Sequence, residues 1–282
     1  MLECYSANEA YGDLLHYISQ HGQEYTIRGK KCIEVTGLSY RICNPRKRII
    51  TEANRKFPLK GAFAEFMWYM TGNNEVKAIT PYLKMWEHFS DNGETVNSNY
   101  GYQWRRPHDQ ILDIIAKIKN DKYTRQAVVC MYDKYFSRYT GKDNICTPTF
   151  QFFVRDDALN LIVNSRSRDL IRGECIDQFT FTLLQELVAN SLGIDTGIYQ
   201  NNIGSLHVYE EHFDLLTKNC VIPSEYEFPT HTEVTYENFW PTVLSAPDAN
   251  PADENTYDFI LNVIKNKFTA VDIDHFSKYL YA

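Results

Sequence analysis

The side chains best suited to chemistry in this sequence fall between Cys146 and Asp177. Cys146 precedes the run Thr147-Pro148-Thr149-Phe150-Gln151-Phe152-Phe153-Val154, and a second apolar run from Leu159 to Val163 leads into Asn164-Ser165-Arg166-Ser167-Arg168-Asp169. Both runs are rich in Phe, Val and Ile, and the Asp156-Asp157 pair between them is a turn signal, so two antiparallel strands joined by a hairpin are predicted. The cysteine enters one strand; Arg166, Ser167 and Asp169 leave the other. A cysteine attacks as its thiolate and a nearby cation favours that form, so Arg166 is placed to activate Cys146 as a nucleophile. Most free cysteines are buried packing groups, and Cys146 gains meaning only from that company.

Three ordered motifs extend the pattern. The Cys146 strand with its Gln151-Phe152, the run Arg166-Ser167-Arg168-Asp169, and the element Gly204-Ser205-Leu206-His207-Val208-Tyr209 together resemble the thymidylate synthase family, from Asn8 to Phe213. The resemblance implies an α/β fold: a large mixed β-sheet flanked by helices, in a single domain that pairs back to back as a homodimer. It also implies a pyrimidine nucleoside monophosphate as substrate, methylenetetrahydrofolate as one-carbon co-substrate, and no metal. On this resemblance Cys146 is the nucleophile that adds to pyrimidine C6. Arg166, Ser167 and Arg125 hold the phosphate, His207 and Tyr209 the sugar hydroxyl, and Asp169 part of the pterin. Glu65 in Ala64-Glu65-Phe66-Met67-Trp68-Tyr69 orders water and protons at the base, Tyr100 in Asn97-Ser98-Asn99-Tyr100-Gly101 assists proton removal at C5, and Trp86 lies against the folate. Arg28, followed by Gly29, best matches the family's phosphate-touching loop arginine, although the usual Arg-Thr-Gly run is missing. Arg125 would cross the dimer interface to the partner's phosphate site. Gln126 follows it where the family has a second arginine, so the clamp is one cation weaker.

Asp177 departs from the family pattern in a way that bears on the substrate. An acidic residue in the first turn of a helix is ordinarily explained by the helix dipole. By alignment from Arg166-Ser167, however, position 177 is where thymidylate synthases place an Asn that reads the pyrimidine. An amide offers a donor and an acceptor to N3–H and O4 of uracil; a carboxyl suits the N4 amino group and N3 of cytosine. Asp177, with Cys146-Thr147 in place of Cys-His, therefore resembles the deoxycytidylate hydroxymethylase branch. Deoxycytidylate is the expected substrate and its 5-hydroxymethyl derivative the expected product. Methylation of deoxyuridylate or deoxycytidylate, and hydroxymethylation of CMP or deoxyuridylate, stay open.

Amphipathic spacing predicts the helices that must position these groups: Asn8 to His21, Pro58 to Thr71 around Glu65, His108 to Asp121, and Cys175 to Ser191 with Asp177 in its first turn. Between them Tyr25 to Ile42 alternates as two strands with Gly29 and Gly37 at turns. The 282 residues carry 29 Lys plus Arg against 36 Asp plus Glu, a net charge of −7, which argues against a nucleic-acid footprint. The 7 cysteines are scattered and form no Cys-x-x-Cys pair, so neither a zinc site nor a disulfide framework is expected. No apolar run reaches membrane-spanning length, and a reduced, cytoplasmic setting (a host's cytoplasm for a viral chain) is expected, with no membrane partner. Residues 1–228 read as the catalytic domain. Residues 229–282 read as an extension of loops packed on it, ending in a helix around Tyr257 to Ile264 and a last segment from Phe276 to Tyr281.

Overall fold

The computed structural model describes residues 1–218, 220, 227, 228, 230 and 232–240. The expected helix around Tyr257 and the segment at Phe276 lie outside the described residues.

In chain order the elements are β1 (Leu2–Cys4), α1 (Ala7–His21), β2 (Gln23–Ile27), β3 (Lys30–Ile42), α2 (Leu59–Thr71), α3 (Trp86–Phe89), α4 (Tyr100–Trp104), α5 (Gln110–Asn120) and β4 (Val128–Cys130). There follow β5 (Thr149–Arg155), β6 (Ala158–Ser165), β7 (Arg168–Asp169), a π-helical turn (Leu170–Glu174), α6 (Cys175–Leu192) and β8 (Asp195–Tyr209). One mixed eight-stranded sheet runs β1-β3-β8-β6-β5-β4, with β2 added to β3 and β7 to β8. β6 and β8 pair in parallel, while β3 runs antiparallel to β8 and β5 to β6. This is the expected α/β architecture.

The local sequence explains the elements that frame the site. Asp156 and Asp157 adopt φ of 51° and 57°, so β5 and β6 are joined by a two-residue turn with both central residues left-handed, a geometry that Asp tolerates and that suits the twist of a hairpin. Along β5 the buried Phe150, Phe152 and Val154 alternate with half-buried Thr149, Gln151, Phe153 and Arg155. The buried face packs under α6, where the Phe150 and Phe181 rings meet edge to face at 4.8 Å.

α6 is buried all round, as a helix at the centre of a fold must be, and its polar side chains find partners, although Oε1 of Gln178 and of Gln185 has none among the described residues. Gln178 donates to the Arg48 carbonyl at 2.7 Å and Gln185 to that of Leu159 at 2.8 Å; Glu186 accepts from Arg46 at 2.9 Å and Arg48 at 2.6 Å. One expectation is corrected here. Gly37 lies inside the continuous strand β3 at φ 71°, and no turn forms there because pairing with β8 resumes in the same register at Leu38. Only Arg28-Gly29 makes a turn.

Candidate active site

Arg166 and Cys146 are brought together by the ends of their strands. The Arg166 N–H donates to the Cys146 carbonyl at 2.9 Å. The guanidinium is then tethered: Nε donates to the Ile145 carbonyl at 2.7 Å and Nη2 to that of Asn144 at 3.1 Å, which leaves Nη2 3.6 Å from the Cys146 sulfur. A half-buried thiol thus faces a cation whose position is fixed by backbone. Gly204 permits this packing, because a Cβ there would stand 2.8 Å from the Arg166 carbonyl oxygen, to which Ser205 N–H donates at 3.1 Å.

Glu65 sits in the middle of α2 and is 3% exposed. Tyr69 donates to its Oε1 at 2.6 Å and the indole of Trp86 to its Oε2 at 2.9 Å. Burial, followed by the charge of Asp177, pushes the carboxyl up to about 8 against the opposing pull of those two bonds and of Arg168, so the group holds its proton at neutral pH. Trp86 is buried against Trp68, with ring centroids 5.2 Å apart, and its indole N–H is engaged by Glu65.

Asp177, expected from the sequence to read the base, has a partner. Arg168 Nη1 bonds to its Oδ2 and, at 3.2 Å, to the Tyr100 hydroxyl; Tyr100 in turn lies 3.4 Å from the same Oδ2. Arg168 also donates through Nη2 to Thr147, and its Nε is 3.1 Å from Oε2 of Glu174. Burial raises Asp177 to about 6, and Arg168 holds it from rising further. Burial and the charge of Asp177 also carry the Tyr100 hydroxyl well above its usual range, so it acts as a neutral phenol. Gly101 is required where it stands: a Cβ there would lie 1.9 Å from the Tyr69 carbonyl oxygen, so only glycine lets α4 approach α2 closely enough to bring Tyr100 beside Tyr69.

The remaining expected residues divide. Asp169, in register with His207 across β7 and β8, accepts the N–H of Ile171 at 2.9 Å and of Arg172 at 3.2 Å through Oδ1. His207 is buried, lowered from its ordinary value by that burial, and stacked edge to face on Tyr209 at 5.0 Å. Ser167 is half-buried beside Arg166. Arg28 sits exposed on the β2–β3 turn at φ 52°, and Arg125 is exposed before β4 with its carbonyl accepting from Gln151 at 3.0 Å. Among the described residues no hydrogen bond or ion pair joins either guanidinium to the Cys146 cluster. Sequence reasoning missed Arg168, Thr147, Glu174 and Tyr69. The signal for Arg168 was present, since a charged residue between Ser167 and Asp169 in a buried strand must have a partner, and Glu174 and Asp177 follow within nine positions.

A thiol beside a tethered cation at the end of β6, a buried carboxyl that keeps its proton on α2 and a buried tyrosine on α4 are groups of the kind that sulfur addition to an electron-poor ring and proton transfer at the adjacent atom would need. The thymidylate synthase family profile matches residues 9–237, and the chain belongs to that family. The deoxyuridylate hydroxymethyltransferase of Bacillus phage SP01 is 31% identical over 220 residues, covering 73% of this chain and 57% of that protein. The deoxyuridylate hydroxymethyltransferase of Pseudomonas phage M6 is 32% identical over 172 residues, 59% of this chain and 49% of that protein. The chain thus spans about half the length of these relatives. The family's co-substrate is methylenetetrahydrofolate. None of the described helices is long and apolar enough to cross a membrane.

Proposed function

We propose that the chain catalyses transfer of a hydroxymethyl group from methylenetetrahydrofolate to C5 of a pyrimidine deoxynucleoside monophosphate, releasing tetrahydrofolate. The observation that carries this reading is the Cys146 sulfur 3.6 Å from the fixed guanidinium of Arg166. Cys146 bonds to C6 as its thiolate, and C5 gains the electron density to take the one-carbon unit. Tyr100 relays the C5 proton away as the bond from the one-carbon unit to the folate nitrogen breaks, which frees tetrahydrofolate and leaves an exocyclic methylene at C5. Glu65, held by Tyr69 and Trp86, directs water onto the exocyclic carbon, after which the bond from sulfur to C6 breaks.

Arg166 and Ser167 would hold the phosphate, with Arg28 reaching it from its loop, and His207 and Tyr209 the sugar. Asp169 uses Oδ1 on backbone N–H groups, which leaves its other oxygen to a pterin. The second half of the phosphate site would come from a homodimer in which Arg125 serves the partner. The half-buried outer faces of β5 and β6, with Phe153 and Ile162, support that pairing. Residues 232–240 support an extension packed on the catalytic domain: Trp240 donates to the Met70 carbonyl at 3.0 Å and the Tyr236 hydroxyl bonds to Asp109 at 2.9 Å. A reduced, cytoplasmic compartment suits the free cysteines of the described residues.

The expectation of cytosine rested on Asp177, with Cys146-Thr147 in place of Cys-His beside it. With Arg168 on its Oδ2, the pair rather than the single carboxyl faces the base, and the two phage relatives carry deoxyuridylate in their names. Deoxycytidylate is the second reading, supported by the Asp177 carboxyl, which burial brings toward the protonated form that could donate to N3. Replacing Cys146 with Ala tests the reaction class. Turnover is expected to fall by at least about a thousandfold while nucleotide affinity is kept; a variant with turnover near that of the parent would sink the reading.

A further inference from the structure

We propose that Arg168 is the residue that selects the base, and that the base it selects is uracil. This rests on thiolate addition at C6, as proposed above, and assigns the substrate within it.

The two bases place different demands on the groups around them. When the Cys146 sulfur bonds to C6 of uracil, the electron pair of the C5–C6 bond moves onto C5 and through it to O4, where negative charge grows. A fixed cation beside that edge stabilises this charge as it develops. Cytosine carries an amino group in place of O4, and its ring accepts the same electron pair only as N3 gains a proton. A permanent cation next to N3 opposes that protonation, and a carboxylate bound to the cation is a poor source of the proton. An arginine in this place therefore favours uracil on both counts.

Arg168 meets the requirement. It is 2% exposed, so its charge acts without screening by bulk water. Its Nη1 reaches both Tyr100 and Asp177, and its Nη2 reaches Thr147, the residue that follows the nucleophile. Glu174 takes the Nε side and is itself held by Tyr40 and by Asn201 at 3.0 Å, which keeps the Nη1 side turned to Asp177. Both contacts to Asp177 fall on Oδ2, and among the described residues no hydrogen bond reaches Oδ1. Oδ1 is the acceptor left for the N3–H of uracil. The pair together offers an acceptor next to a donor, the pattern that an amide would present at this position.

The test is hydrogen exchange at C5 in heavy water, without folate, followed by the loss of the H5 resonance of dUMP and of dCMP with the full chain. This reads C6 addition together with proton movement at C5 and is blind to whether the later product is methyl or hydroxymethyl. The parent is expected to exchange dUMP faster than dCMP by about a hundredfold, the scale set by one well-placed group opposite a developing oxyanion. Arg168→Gln is expected to narrow that ratio by about tenfold or more, because Asp177 without its cation takes a proton and suits cytosine. Arg168→Lys keeps the charge and is expected to keep the preference for dUMP, which serves if the glutamine variant does not fold. Equal rates in the parent, a preference for dCMP, or an unchanged ratio in a folded Arg168→Gln would overturn the assignment while leaving hydroxymethyl transfer standing. No exchange of either nucleotide by the parent would overturn the thiolate reading and the base assignment with it.

Discussion

The indole of Trp86 donates to Oε2 of Glu65 across 2.9 Å, on the carboxyl whose other oxygen is taken by Tyr69 at 2.6 Å. Both oxygens are thereby oriented inside the core, and a group that would otherwise rotate is aimed. Family resemblance gives Trp86 a different task, contact with the folate, and the two tasks separate kinetically. If Trp86 serves Glu65, Trp86→Phe keeps an aromatic ring, loses the bond, and lowers kcat by about tenfold with the KM for folate nearly unchanged, since leaving a buried carboxyl oxygen without its donor costs roughly 1–3 kcal/mol. Steady-state kinetics with each substrate varied measures the split. A raised KM for folate at constant kcat assigns Trp86 to the co-substrate.

The raised carboxyl of Glu65 has a consequence for stability. In the unfolded chain it releases its proton near 4.5, in the folded chain near about 8, so folding takes up a proton between those values. The folded state therefore binds more protons than the unfolded state, and stability falls as pH rises through that window. Asp177, raised to about 6, adds to the fall in the lower part of the window. Urea denaturation across the window is expected to show this decline in the parent and a shallower one in Glu65→Gln, which carries no titrating proton. A decline of equal steepness in the variant would mean that Glu65 is not its source.

Gly101→Ala sets a Cβ 1.9 Å from the Tyr69 carbonyl, and neither backbone can yield without separating α4 from α2. The substitution is expected to destabilise the fold by roughly 1–3 kcal/mol and to move Tyr100 out of reach of Asp177 and Arg168. Thermal unfolding reads the first effect. The second appears as slower C5 exchange at a temperature where the variant is fully folded, and an unaffected exchange rate would show that Tyr100 is not the relay.

Much of this was legible in the sequence because short-range rules wrote it. The Asp156-Asp157 turn fixes the hairpin, and the hairpin alone brings Arg166 to Cys146, so those two residues could be paired before any coordinates. The apolar spacing around Glu65 gave α2 in the same way. The Arg168 network was not legible because its members come from α4, β7, the π-helical turn and α6, and only the packed sheet tells Arg168 which neighbours it has. Asp177 was therefore read as a lone carboxylate, and cytosine followed from that reading. Gly37 misled for a related reason: a glycine in a strand pattern signals a turn in sequence, while the pairing of β3 with β8 carries the strand straight through it.

The most direct measurement is the mass of the nucleotide product when the chain is given methylenetetrahydrofolate with an equimolar mixture of dUMP, dCMP and CMP. The expected result is dUMP heavier by CH2O, with tetrahydrofolate as the second product, which would join the thiolate, the water held at Glu65 and the base set by Arg168 in one reaction. Growth of dCMP by CH2O would keep the hydroxymethyl transfer and contradict the role of Arg168. Growth of dUMP by CH2 alone, with dihydrofolate formed, would contradict the central claim that water completes the reaction.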